Sequence, residues 1–387
     1  MAGTGVSVVG VGTTKYGKQD RSARELAVEA ADRALQDAGM APTEVGAVFV
    51  ANAFSVADRQ GHLGPLVTTA LGIPHVASSV TEAACASAAV AFRHALAYVK
   101  AGLVETALVV GTEKVSHIDT VTATGYFCYG SDYFLEGGVG ATFPGLYAAI
   151  ARAHMAEHGT TEEDLALVAV KNHEHALKNP SAHLQKAITV RDVLDSYKVA
   201  TPLKLYDACP FSDGAAAAII TRADAARQRS DTPVDVLASA QSGTIAALAE
   251  RDTLTSIEGT RRAGRAALEA AGLRPAEVSL FEVHDCFTIA ELVASEDLGL
   301  FAPGKAAAAV RDGVTRRDGD HPINVSGGLK AKGHPVGATG LGQIYEAVVQ
   351  LRGEAQGRQV DGATTALTHN VGATGGTVAV HVLGRRA

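Results

Sequence analysis

Short, continuously apolar and largely β-branched runs recur along the chain, at residues 6–11, 47–51, 106–111, 214–221, 234–238, 280–283, 364–368 and 377–383. Most lack polar alternation, which predicts strands buried on both faces. Between several of them lie longer segments with apolar residues three or four apart, at 23–38, 86–101, 263–271 and 341–351. That period predicts helices. Strand alternating with helix predicts an α/β fold on a mainly parallel sheet.

The pattern repeats. Ala34-Leu35, Ala38-Gly39, Pro42, Glu44-Val45, Val50 and Phe54 match Ala267-Leu268, Ala271-Gly272, Pro275, Glu277-Val278, Val283 and Phe287, every pair at the same offset. Each copy predicts an Ala-rich helix ended by glycine, a proline turn and a buried strand. A weaker echo pairs Asp213-Gly214 and its strand with Gly375-Gly376 and the last strand. The chain therefore divides into two related halves, residues 1–115 with 201–230 and residues 231–387. Residues 116–200 belong to neither copy and form an insertion. Seven aromatics crowd between Tyr126 and Tyr147, and basic and imidazole side chains follow from Lys171 to Lys204. Insertions of this length in a compact half are usually functional.

Composition narrows the class. With 47% hydrophobic and 19% charged residues, the 387-residue chain cannot be disordered. A net charge of −7 argues against general nucleic-acid binding, though not against a local anion site. No apolar stretch approaches the ~20 residues of a membrane helix. The first residues lack a charged segment followed by a long apolar one, so a cytoplasmic protein is expected. The four cysteines are widely spaced without a CxxC pair, which suits free thiols in a reducing compartment.

Four segments carry candidate chemistry. Cys85 sits among small residues where the helix 86–101 begins, a setting in which the helix terminus favours a thiolate. His284-Asp285-Cys286-Phe287 follows the strand of the second copy, where parallel sheets place ligands. His334 is embedded in glycines between Gly327 and Gly340, and Asn370 and Gly372 follow another strand. Gly10-Val11-Gly12 is no dinucleotide fingerprint, because Lys15 stands where its third glycine belongs. Gly328 to Gly333 lacks the Lys-Ser/Thr of a Walker loop. The histidines near 173–183 are unframed by carboxylate or cysteine at ligand spacing, so no metal is expected.

Together the Cys85-x-Ser87 segment, His284-Asp285-Cys286-Phe287, Gly333-His334-Pro335 and Asn370-x-Gly372 resemble the four catalytic loops of the thiolase superfamily. They are most similar to the branch of the sterol-carrier-protein thiolases and archaeal acetoacetyl-CoA thiolases. The resemblance implies duplicated halves in five layers, αβαβα, with an inserted loop domain. It implies reversible Claisen chemistry on (3-keto)acyl-CoA thioesters in lipid metabolism. Cys85 would carry the acyl group and His334 would take its proton. Cys286 would act on the α-carbon, since Asn370 stands where common thiolases have their second cysteine. His334 and a water on His284 would hold the enolate oxygen, and the N–H groups of Cys85 and Gly372 would serve the acyl-enzyme. Coenzyme A would be a substrate, with no further cofactor and no metal. Its phosphates would meet the basic segment at Lys171, Lys178, Lys186, Arg191, Lys198 and Lys204. A homo-oligomer is expected, dimer or tetramer, because the strand at 106–111 would otherwise be an unpaired apolar edge. A small zinc-containing OB-fold partner is also implied. Decarboxylating ketoacyl synthases and steroid side-chain retro-aldolases share the fold, and a non-catalytic acyl-CoA carrier is the remaining alternative. Cys286 speaks against the first, and the retained Cys85 against the second.

Overall fold

The computed structural model describes residues 3–385. Eleven strands are present among them: β1 Val6–Thr13, β2 Ala47–Ala51, β3 Ala77–Thr81, β4 Thr106–Glu113, β5 Lys198–Ala200, β6 Leu203–Lys204, β7 Gly214–Arg222, β8 Val234–Ser242, β9 Leu280–Glu282, β10 Thr365–Gly372 and β11 Thr377–Arg385. β5 and β6 form a small hairpin, and the other nine join in the order β3-β2-β4-β7-β1-β8-β11-β10-β9. The two halves of this sheet meet where Ser7 pairs with Asp235 and Val8 with Val234, with Thr4 N–H donating to the Val236 carbonyl beside them at 3.0 Å.

Alternate residues of each strand face different helices, as the two-residue pleat requires. Val48, Val50, Leu108, Val110, Ala217 and Ile219 pack on the helix Ala23–Asp37. Their neighbours Phe49, Val109, Ala218 and Ile220 pack on the helices Ser87–Lys100 and Thr339–Arg352. Val234, Leu280, Ala366 and Leu383 of the second half cover the same central pair of helices from the other side. Val378, Val380 and Val382 face outward onto the helices Glu258–Ala271 and Thr288–Asp297. The two halves of the sheet, lying between three helical layers, give the expected five-layer stack.

The internal repeat is visible residue by residue. Gly39 and Gly272 both end their helices in the left-handed conformation, at φ 61° and 68°, which favours glycine at each. Short 3₁₀ turns follow at Pro42–Glu44 and Pro275–Glu277, and then β2 and β9.

Two expectations need correction. The sheet is mixed: parallel pairing is confined to β3-β2-β4 and β9-β10, and the remaining pairs are antiparallel. Long β7 and β11 insert between parallel neighbours, which apolar runs alone cannot reveal. The segment 106–111 is no edge either, since β4 lies between β2 and β7. The free edge is β3, largely exposed and too polar to stand out as a strand. No described helix is long and apolar enough to cross a membrane.

Candidate active site

All four segments converge on one apolar cavity of about 490 Å³, whose lining includes Cys85, Cys286, His334 and Ala373. Cys85 lies in the tight turn between β3 and the helix Ser87–Lys100. Ala84 is held at φ 49°, and the Ser87 hydroxyl donates to its carbonyl at 2.6 Å while accepting from Ala83 N–H at 2.9 Å. The backbone N–H groups of Ala373 and of Cys85 itself lie near enough to the sulfur to favour its thiolate against burial. Gly372, expected to supply that donor, instead ends β10; a Cβ there would meet the Ala83 carbonyl oxygen at 2.5 Å. Glycine is thus needed for the close approach, and the next residue turns its N–H inward. The strand runs further than expected because β10 stays paired with β11 as far as Gly372 and Thr377.

The Cys85 sulfur and one ring nitrogen each of His284 and His334 lie within 4.8 Å of one another. Their hydrogen bonds set the tautomers. Thr339 donates its hydroxyl proton to the Pro335 carbonyl at 3.1 Å, so at 2.6 Å it accepts from His334 Nδ1–H. His334 Nε2 is therefore a free lone pair, a base. Asn370 Nδ2 donates to His284 Nδ1 at 3.0 Å, which places the His284 proton on Nε2. That buried Nε2 has no protein partner, so it is a donor awaiting an oxygen. The set would hold a metal only if His284 gave up that proton.

Three backbone-binding carboxylates fix the geometry. Glu113 accepts from Ala53 N–H at 3.1 Å and Gly337 N–H at 2.9 Å, joining the loop after β2 to the His334 loop. Asp285 accepts from Leu329 N–H at 2.6 Å and from Asn172 Nδ2 at 2.8 Å. A Cβ at Gly328, whose φ is 58°, would lie 2.2 Å from that carboxylate. Asp213 accepts from Val115 N–H and Ser116 N–H and pairs with Lys114 at 2.8 Å, which ties the insertion to the first half.

Burial governs the charges. The helix terminus was expected to favour a Cys85 thiolate, but desolvation pushes this thiol up to about 12, with Glu113 and Glu82 adding to the effect. Desolvation brings His334 down to about 3 and holds His284 well below the usual imidazole range. The resting site is thus a neutral thiol beside a neutral imidazole. Alkylation of Cys85 by iodoacetamide, followed on its own peptide, should rise about tenfold per pH unit from pH 6 to 9, tracking the thiolate fraction. A plateau in that range would show a pre-formed thiolate–imidazolium pair and contradict this reading.

The basic segment divides. Lys171 is buried, paired with Glu291 at 2.9 Å and donating to the Ile323 carbonyl at 2.9 Å. Lys204 is buried and paired with Glu162. Neither ammonium is free for a phosphate, so both assignments are withdrawn. Lys178, Lys186, Arg191 and Lys198 are exposed; Lys198 stands between Tyr197 and Val199 of the cavity lining. His173 and His175 are also buried, each bonded through Nδ1 to a carbonyl, of Lys186 and Asn324 respectively.

Sequence reasoning passed over two groups. Cys209 lines the cavity because the bridge between Ala208 and Phe287 brings its N–H to the Cys286 carbonyl at 2.9 Å. Tyr147 lines it from the second turn of the helix Phe143–His158. Only the aromatic crowding between 126 and 147 hinted at the second, and nothing local marked the first.

Comparison with known proteins agrees with this geometry. Residues 6–224 match the thiolase N-terminal domain family, and residues 240–385 match the thiolase C-terminal domain-like family. An acetyl-CoA acetyltransferase of Methanothermobacter thermautotrophicus is 46% identical, over 98% of this chain and 99% of that protein. Sterol carrier protein 2 of Gallus gallus is 34% identical, over 96% of this chain and 70% of its own length. Among solved structures, the Ltp2-ChsH2(DUF35) aldolase superposes with a TM-score of 0.86 at 26% identity, covering 99% of this chain and 98% of that one. The chain belongs to the thiolase family and is a thiolase-type acyltransferase.

Proposed function

We propose that this enzyme forms an acyl-enzyme on Cys85 and makes or breaks the carbon–carbon bond with Cys286 as acid/base, the physiological acyl group being acetyl. The carrying observation is the Cys85–His284–His334 cluster, within 4.8 Å and with its tautomers set, in a cavity that Cys286 also lines. In the synthetic direction His334 Nε2 takes the Cys85 proton as the sulfur attacks the thioester carbonyl. The N–H groups of Ala373 and Cys85 face the developing oxyanion. The coenzyme A thiolate leaves with the proton of Cys286, so an imidazolium and a thiolate remain. That thiolate removes the α-proton of a second acyl-CoA. His284 Nε2–H and the His334 imidazolium hold the enolate oxygen while its carbon attacks the acyl group on Cys85. The departing Cys85 sulfur recovers the proton of His334, and every group returns to its resting state.

The acetyltransferase at 46% identity supports acetyl-CoA as substrate, and the retained Cys85 favours acyl transfer over the aldol cleavage of the structural neighbour. Consumption of acetoacetyl-CoA that requires free coenzyme A tests the assignment, together with 3-ketoacyl-CoAs of graded length. Turnover independent of coenzyme A would overturn it.

Lys178, Lys186, Arg191 and Lys198 are the proposed phosphate contacts, being exposed on the segment that leads to the cavity mouth. Exposed pairs are individually weak, so reversing Lys186 and Lys198 together should raise the KM for acyl-CoA about 3- to 10-fold and flatten its salt dependence. An unchanged KM places the phosphates elsewhere. The proposal extends to a cytoplasmic homo-oligomer paired along β3, where Val80 is exposed, and to a small partner protein such as the second component named with the aldolase neighbour. Sedimentation of the pure chain, alone and with such a partner, reads both; a persistent monomer that ignores the partner removes them.

A further inference from the structure

Tyr147 is buried, and its ring stacks on Phe287 at 4.8 Å between centroids, beside Cys286. Its hydroxyl donates to the Ala373 carbonyl at 2.9 Å. The same hydroxyl lies on the Cys286 side of the cavity, whose lining both side chains share, and there it favours the charged form of the thiol. Ala373 is itself held in the left-handed region, at φ 56°. Arg251 braces the next residue, donating to the Thr374 carbonyl at 2.7 Å and to its hydroxyl at 3.0 Å. One phenol therefore bonds the carbonyl of the residue whose N–H faces Cys85 and shares the cavity with the thiol assigned to the α-carbon.

The lining of the cavity contains no lysine, arginine, aspartate or glutamate. Burial pushes the Cys286 thiol well above its ordinary range, so a thiolate formed there needs a hydrogen-bond donor close by. We propose that Tyr147 is that donor: a switchable hydroxyl that stabilises Cys286 only while the sulfur is charged. At rest the phenol proton goes to the Ala373 carbonyl, and the phenol oxygen accepts from the Cys286 S–H. When the coenzyme A thiolate takes that S–H proton, rotation about the phenol C–O bond turns the donor onto the sulfur. When Cys286 gains the α-proton, the hydroxyl returns to Ala373. No proton leaves the phenol, whose own ionisation burial strongly opposes. The inference rests on the assignment of Cys286 as base and adds to it the group that makes the thiolate accessible.

Tyr147→Phe keeps the stacked ring and removes only the hydroxyl. A hydrogen bond to a charged group is strong, so deuterium wash-in at the α-carbon of acetyl-CoA should fall roughly 10- to 100-fold. The pH dependence of wash-in should move upward by about one to two units. Acylation of Cys85 should fall less than wash-in, because Cys286 enters that step only as proton donor to the leaving coenzyme A thiolate, and adding Tyr147→Phe to Cys286→Ala should cost nothing further. Wash-in with unchanged rate and pH profile, while Cys286→Ala loses it, overturns the role of Tyr147 alone. Equal losses in acylation and wash-in also overturn it, leaving only a brace for Ala373. Normal wash-in in Cys286→Ala shows instead that the underlying assignment of Cys286 is wrong.

Discussion

Cys85→Ala is expected to lose thiolysis and condensation by on the order of 10⁴-fold or more, because the covalent step has no other route. Position singles this thiol out. It is half-buried at the head of the helix Ser87–Lys100, grouped with the free lone pair of His334 and faced by two backbone N–H groups. Cys209 shares the cavity and is likewise pushed up to about 12 by burial, but its backbone N–H is tied to the Cys286 carbonyl and its sulfur is outside the group of Cys85, His284 and His334. Substantial residual activity in Cys85→Ala would mean that Cys209 or Cys286 can take over. Circular dichroism separates this from misfolding, since replacing a small side chain at a turn between stable elements should leave the spectrum unchanged.

Cys286→Ala should divide the reaction. The acyl-enzyme still forms on Cys85, although more slowly where Cys286 supplied the proton to the leaving thiolate. Condensation and α-proton exchange should fall by at least ~10²-fold, the loss expected for a general base. Asn370 cannot compensate, because an amide takes no proton from carbon and its Nδ2 is committed to His284. His334 cannot compensate either, because in the proposed second half-reaction it carries the proton of Cys85. Normal exchange in this variant would return the base role to an imidazole and would remove the reason for a buried thiol at position 286.

Much of this site was legible because its loops depend on local rules. The glycines around His334, the small residues around Cys85 and the strand before His284 each advertise close backbone approach or a strand end. The repeat carried the architecture, since Gly39 and Gly272 or Pro42 and Pro275 perform the same local job in each half. What stayed hidden depends on distant contacts. β3 is short, polar and exposed, so no apolar run announces it. Lys171 and Lys204 look like surface cations until Glu291 and Glu162 are brought to them by the fold. The Cys85 thiol was expected to ionise from its helix terminus, yet desolvation outweighs the dipole in so apolar a cavity. Asn370 looked like a lost cysteine; in place, it fixes the tautomer of His284.

The acyl-enzyme itself tests the central claim most directly. Wild type, Cys85→Ala and Cys286→Ala are mixed with acetyl-CoA, quenched in acid and digested, and each cysteine peptide is weighed. One acetyl group on the Cys85 peptide is expected in wild type and in Cys286→Ala, with none in Cys85→Ala. Acetyl on the Cys209 or Cys286 peptide instead, or on no peptide while turnover proceeds, would contradict the account.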